Sequence, residues 1–172
     1  MDLKEFKSLI DLFFYQAGKQ NPQSAFLEWL NPKNKKKFTW GETSSNIYKL
    51  AKTLKASIAD GDRCLLVSEN RPEWLISDIA IMLANGITVP AYTTYTEKDY
   101  KYLIEDCQPS VIIVSNDEMH DKLKNIINER SFIRKVITFE KIKKIDNKNK
   151  YLDFNSITEN NLQESDKIKN SS

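Results

Sequence analysis

Arg63-Cys64-Leu65-Leu66-Val67-Ser68, continuing into Glu69-Asn70-Arg71-Pro72-Glu73-Trp74, is the stretch on which the fold turns. Four consecutive apolar residues without polar alternation predict a short strand buried on both faces, as in a parallel sheet. Asn70-Arg71-Pro72-Glu73 reads as a turn into a helix, with Pro72 suited to a first helical position that needs no N–H donor. That helix is predicted to run to about Asn85. It is apolar nearly all round (Trp74, Leu75, Ile76, Ile79, Ile81, Met82, Leu83), which implies deep burial.

The same alternation continues downstream. Gly86 ends the helix and Ile87 to Ala91 reads as a second strand. Thr96-Glu97-Lys98-Asp99 is a capping box ahead of Tyr100, Leu103, Ile104 and Cys107 on one helical face. Val111-Ile112-Ile113-Val114 is a third buried strand. Asp117 to Asn128 reads as one helix with Met119, Leu123, Ile126 and Ile127 inward, and Lys135 to Phe139 as a fourth strand. Upstream, Phe6, Leu9, Ile10 and Phe13 recur at helical spacing until Asn21-Pro22. Ala25 to Leu30 and a strand ending near Phe38 fit a hairpin around Asn31-Pro32-Lys33-Asn34. Thr39-Trp40-Gly41-Glu42 is a second capping box, opening a helix with Ile47, Leu50, Ala51, Leu54 and Ile58 as its stripe. Asp60-Gly61-Asp62 is expected to end it, with Gly61 as a left-handed cap.

The reading is therefore an α/β fold: an open, mainly parallel sheet with helices on both faces, preceded by an N-terminal helix and a short β-hairpin. Residues 1–139 form the domain. Residues 140–172 are expected to be an irregular connector, because they hold neither Gly nor Pro and their apolar residues are scattered.

Composition removes many function classes. The 172 residues hold 4 Gly, 1 His and 2 Cys. Gly18, Gly41, Gly61 and Gly86 are too dispersed for a GxxxxGK or GxGxxG phosphate cradle. A single His gives no His-rich metal site, and Cys64 and Cys107 are too far apart for a CxxC pair. A net charge of +2 is too small for a nucleic-acid footprint. Lys33 with Lys35-Lys36-Lys37 reads as a solvated loop, with a membrane or phosphate patch as the alternative. The longest apolar run, Ile79 to Ala84, is far short of the roughly 20 residues of a membrane span. With no signal-peptide layout and two separated cysteines, the chain is expected to be soluble and cytoplasmic, its thiols free.

In an open α/β sheet, ligands bind outside the carboxyl ends of the strands. Three loops qualify: Ser68-Glu69-Asn70-Arg71, Tyr92-Thr93-Thr94-Tyr95 and Ser115-Asn116-Asp117-Glu118. Arg71 either clamps an anion or pairs with a neighbouring carboxylate, and Tyr92 and Tyr95 either wall a channel or pack over a sheet edge. Thr39 and Thr96 read as caps rather than nucleophiles. His120, beside Asp117, Glu118 and Asp121, reads as a solvated surface histidine. Adjacent Glu105 and Asp106 point about 100° apart on a helix and cannot converge on one atom. Cys64 and Cys107 lack the electropositive, exposed setting of a reactive thiolate. A phosphoacceptor receiver domain is excluded, since Ser68-Glu69 and Ser115 stand where it needs acidic residues. No catalytic, cofactor-binding or metal-binding residue is assigned.

Phe38-Thr39-Trp40-Gly41-Glu42, Gly61-Asp62-Arg63, Ser68 to Trp74, and Met82 to Tyr92 stand in an order that resembles the N-terminal part of the AMP-forming adenylating enzymes. The Asn-Arg-Pro-Glu-Trp form, with Leu103-Ile104-Glu105-Asp106-Cys107 following, is most similar to their long-chain fatty acyl-CoA synthetase branch. Leu9 to Asn21 also looks like the usual start, so the resemblance covers Leu9 to Phe139. It implies part of the large domain of an enzyme that turns ATP and a fatty acid into an acyl adenylate and pyrophosphate, then into acyl-CoA. ATP, Mg²⁺ and CoA would be the parent enzyme's cofactors, with none bound tightly by this chain. The family's Ser/Thr/Gly-rich phosphate loop, ribose-gripping aspartate, Mg²⁺-associated glutamate and C-terminal lysine have no counterpart in 1–172. The expectation is an N-terminal fragment of a ligase, inactive alone; the alternative is a shortened, non-catalytic binding or interaction module. The missing part should pack on the Trp74–Leu83 helix or the sheet edge beside it, leaving the fragment sticky or self-associating.

Overall fold

The computed structural model describes residues 6–31 and 35–159. Helix α1 (Leu9–Lys19) is capped by the Ser8 hydroxyl, which accepts from the Asp11 N–H at 3.1 Å. Strands β1 (Ala25–Trp29) and β2 (Lys36–Thr39) pair antiparallel as the expected hairpin, whose turn residues Pro32 to Asn34 lie outside the described residues. Helix α2 (Trp40–Lys55) starts on the Thr39–Glu42 capping box, with both reciprocal hydrogen bonds formed.

Strand β3 (Arg63–Val67) feeds α3 (Pro72–Leu83), and β4 (Ile87–Ala91) feeds α4 (Glu97–Cys107) through a second capping box at Thr96 and Asp99. Strand β5 (Val111–Val114) leads to α5 (Asp117–Asp121) and α6 (Lys124–Glu129), then to β6 (Lys135–Thr138). Strand β7 (Tyr151–Asp153) and helix α7 (Phe154–Glu159) follow. The second sheet has the order β4-β3-β5-β6-β7 with every pair parallel. Interior strands sort their side chains by the two-residue period. Cys64, Leu66, Val111 and Ile113 face a core closed by α2 and α3. Leu65, Val67, Ile112 and Val114 face a second core closed by α4, α5 and α6. Each fully buried Leu or Ile contributes about 1.5–3 kcal/mol, so the unalternated run predicted as doubly buried is also a main source of stability.

The structure refines the local expectations at three places. Helix α2 stops at Lys55 rather than at Gly61. Its last turn tightens, with Ser57 and Ile58 N–H both donating to the Leu54 carbonyl, and Gly61 sits beyond it at φ 81°. At the end of α3 it is Asn85, at φ 62°, that takes the left-handed conformation. Gly86 is needed for space instead: a Cβ there would stand 2.9 Å from Ile58 Cδ1 and 3.2 Å from the Ile81 carbonyl oxygen. The helix expected over 117–128 breaks after Asp121, where the Leu123 N–H donates to the His120 carbonyl three residues back.

The largest correction concerns the connector. Residues from Glu140 onward are not irregular throughout: β7 adds a fifth parallel strand beside β6, and α7 packs on α2. The cause is two aromatic anchors and a cap. Phe154 is buried edge-on to Phe139 at 5.4 Å, Tyr151 packs against the second core, and the Asp153 carboxylate accepts from the Ser156 N–H at 2.9 Å. Leu162 and Ile168, also in the predicted connector, lie outside the described residues.

Candidate functional site

The three loops singled out by sequence do meet. At the carboxyl ends of β3, β4 and β5 an open cleft of about 460 Å³ is lined by Glu69, Thr93, Thr94, Asn116, Glu118, Met119 and Lys122. Its walls are fixed by backbone bonds. The Asn116 side-chain oxygen caps α5 by accepting from the Met119 N–H at 3.1 Å. The Lys122 ammonium donates to the Thr93 carbonyl at 2.9 Å and stands 3.9 Å from Glu118, one helical turn away. The Tyr100 hydroxyl donates to the Tyr92 carbonyl at 2.6 Å and pins the β4–α4 loop from below.

Neither tyrosine of that loop walls the cleft. Tyr92 is exposed and meets Tyr95 edge-to-face at 5.5 Å, and Tyr95 meets buried Tyr100 at 5.7 Å, a packed aromatic ladder over the sheet edge. Arg71 does not reach the cleft either. Its guanidinium has no exposed surface and resolves the two readings in favour of carboxylates. Nε donates to Glu73 Oε2 at 2.9 Å and Nη2 to Glu73 Oε1 at 3.1 Å, while Nη1 donates to Glu140 at 2.8 Å and to Glu69 at 3.2 Å. The Trp29 ring stacks 4.4 Å away and Lys36 closes the cluster by pairing with Glu73. Burial alone would raise the Glu73 carboxyl, yet hydrogen bonds from Arg71 and Lys36 hold it below the usual range. The group staples hairpin, α3 and the start of the connector together; it is not poised for an incoming anion.

His120 overturns its surface reading. The ring is 2% exposed, and Nε2 lies 2.8 Å from the Tyr151 hydroxyl. The covering strand comes from 31 residues downstream, so the acidic local sequence gave no sign of burial. The remaining candidates are quiet. Thr39 and Thr96 are caps. Glu105 pairs with Arg130 at 2.6 Å, away from Asp106. Burial pushes the Cys64 thiol up to about 12 and raises that of Cys107, which keeps both protonated near neutral pH. Lys36 is spent on Glu73, Lys37 is exposed, and Lys33 of the same basic run lies outside the described residues. Sequence reasoning offered a neighbouring carboxylate for Arg71, which Glu69 and Glu73 supply, but it missed Glu140 and Trp29 as further partners and Tyr151 as partner of His120. Those three lie too far from their partners in sequence to have left a local signal.

Chemically, the cleft offers hydroxyls, an amide and two carboxylates against one lysine already engaged. That donor set does not fit a triphosphate or the phosphates of CoA, and Asn116 Oδ1 is occupied as a cap rather than free to join the carboxylates around Mg²⁺. No helix among the described residues is long and apolar enough to cross a membrane.

Comparison with known proteins gives a consistent picture. The profile of the family described as AMP-binding enzyme matches residues 13–170. A mitochondrial acyl-coenzyme A synthetase of Homo sapiens is 32% identical over 104 residues, covering 59% of this chain and 18% of the relative. A long-chain-fatty-acid–CoA ligase of Bacillus subtilis (strain 168) is 35% identical over 79 residues, 45% of this chain and 14% of the relative. Among solved structures, an anthranilate CoA ligase in complex with anthranoyl-AMP superposes with a TM-score of 0.76 at 18% identity, over 93% of this chain and 30% of that one. A coronafacic acid ligase from Pectobacterium brasiliense gives 0.75 at 19% identity, over 87% and 29%. The chain thus spans less than a third of the length of each of these relatives and structures.

Proposed function

Since the chain belongs to the AMP-binding enzyme family, we propose that it is the N-terminal part of the adenylation domain of a long-chain fatty acid–CoA ligase, acting in the cytoplasm. The observation that carries the reading is the family match running through both the sheet and the β7–α7 extension. Long-chain ligases among the relatives support the substrate class. In this reading Mg²⁺ and the phosphate groups of ATP and CoA are handled by residues outside 1–172, because the cleft here suits none of them. The contribution of these residues is architectural: a parallel sheet, covered on both faces, against which the rest of the enzyme is built. Alone, the chain is inactive and tends to self-associate.

A shortened, non-catalytic module is the second reading, and one observation favours it. Within the described residues, 140–159 add a fifth strand and a capped helix to the sheet. Two measurements separate the readings. Purified 1–172, assayed by hydroxamate trapping with palmitate and ATP, is expected to give no product above an ATP-free control; product would overturn the claim of inactivity. Nucleotide sequence directly downstream, translated in all frames, is expected to encode a Ser/Thr/Gly-rich phosphate loop. Its absence would leave the module as the better account.

A further inference from the structure

His120 and Tyr151 form a contact that neither the cleft nor the family reading uses. The imidazole sits on α5 and the phenol on β7, which is three residues long and, among the described residues, pairs as a strand with β6 alone. Nε2 and the hydroxyl are 2.8 Å apart, with the rings edge-to-face at 5.5 Å. The other ring nitrogen, Nδ1, is buried and has no hydrogen-bond partner among the described residues. A neutral imidazole tolerates that by leaving Nδ1 as a bare acceptor, whereas an imidazolium would bury an N–H with nothing to receive it. We propose that the His120–Tyr151 contact is a proton-operated latch, closed while His120 is neutral and released when it gains a proton, freeing β7 and α7 from the sheet.

The surroundings fix the sign. On its own helix His120 is faced by Asp117 and Asp121, on α6 by Lys124, and on the connector by Asp146, with the Tyr151 hydroxyl on β7. Burial outweighs the three carboxylates and, with Lys124, holds the ring below the ordinary histidine value of 6.5. The carboxylates are partly committed: Asp117 accepts from the Lys143 N–H at 2.9 Å, Asp121 pairs with Lys124 at 3.1 Å, and Asp146 accepts from the Asn128 amide at 2.9 Å. Protonation therefore favours the open state, in which the ring regains water. The backbone register of β7 on β6 covers only Tyr151, Leu152 and Asp153, so the latch acts beside the buried Phe154 and the packing of α7 on α2, which also hold the segment. Opening would carry α7, and with it the direction in which the chain leaves Glu159.

The test is hydrogen exchange of amides 151–159 in the whole 1–172 chain, referenced to β3 amides at each pH to remove intrinsic rate differences. One linked proton changes an equilibrium at most tenfold per pH unit. With the ring at its ordinary value of 6.5 in the open state, opening of 151–159 relative to β3 is expected to rise by at most about tenfold in total from pH 7.5 to 5.5. His120→Gln, which can still donate to the Tyr151 hydroxyl, should abolish the rise. Tyr151→Phe should raise opening at both values while keeping the pH dependence. His120 is the single histidine of the chain, so its ring C2 proton gives an unambiguous NMR titration even if a variant fails to fold. That titration is expected below the ordinary value. An ordinary titration, or protection of 151–159 that is indifferent to pH in the wild type, would overturn the latch. So would an undiminished rise in His120→Gln.

Discussion

A guanidinium with no exposed surface has to be neutralised where it sits, and Arg71 is met there by three glutamates from three different segments. The partners are unequal. Glu73 is 1% exposed and held by two parallel hydrogen bonds, whereas Glu140 is 45% exposed and joined by one. Removing Arg71 leaves the Glu73 carboxylate in the interior with Lys36 alone. Arg71→Ala is therefore expected to cost about 3–5 kcal/mol in urea unfolding, while Glu140→Gln costs under about 1 kcal/mol. Comparable losses would show that the buried pair is not the centre of the cluster. At this scale the sequence was least informative. The Arg71–carboxylate alternative was visible because Glu69 and Glu73 are neighbours, but the burial of His120 depends on Tyr151, and no local pattern announces a partner 31 residues away.

At the scale of the element, reading succeeded where one segment contains its own signal. Both Thr-x-x-acid boxes start helices, and the apolar runs at Cys64–Val67 and Val111–Val114 are doubly buried strands. It failed where an element is made by what packs on it. Strand β7 is only Tyr-Leu-Asp, with no apolar run, and becomes a strand because β6 offers a free edge. At the α3–β4 junction the sequence places Gly86 at the helix end without showing why: Asn85 takes the left-handed backbone conformation and Gly86 supplies room. Gly86→Ala is accordingly expected to destabilise by about 1–3 kcal/mol by forcing Ile58 and the end of α3 apart. A thermal melt checks it, and Ile58→Val in the same chain should recover part of the loss, since the trimmed atom is the one at 2.9 Å. An unchanged melt for Gly86→Ala would mean that the helix end adjusts freely.

For the whole molecule, the doubly covered parallel sheet was legible from strand–helix alternation, whereas the number of strands was not. Its response to acid should come in two stages. His120 is depressed by burial, so its contribution is complete above about 6.5 and declines as pH falls below that, because the unfolded chain takes up the proton first. Glu73 is held low despite burial by Arg71 and Lys36, and Asp117 by the Lys143 N–H despite opposing desolvation. Their contributions are present above the ordinary carboxylate range and lost as pH falls through their lowered folded values. Urea midpoints from pH 8 to pH 3 should fall gently first and steeply below about 4.5, the ordinary glutamate value. His120→Gln should erase only the first stage, and a single acid transition in the wild type would contradict this. The other end of the sheet bears on how copies of the chain can meet. Ile87 directs its N–H inward to the Asp62 carbonyl, so the two-residue period turns positions 88 and 90 outward on β4. Position 90 is proline, which has no N–H, so a foreign strand laid along that edge would find a missing rung. Edge-to-edge pairing is disfavoured there, so association through this side is expected to rely more on side chains than on a continuous backbone ladder.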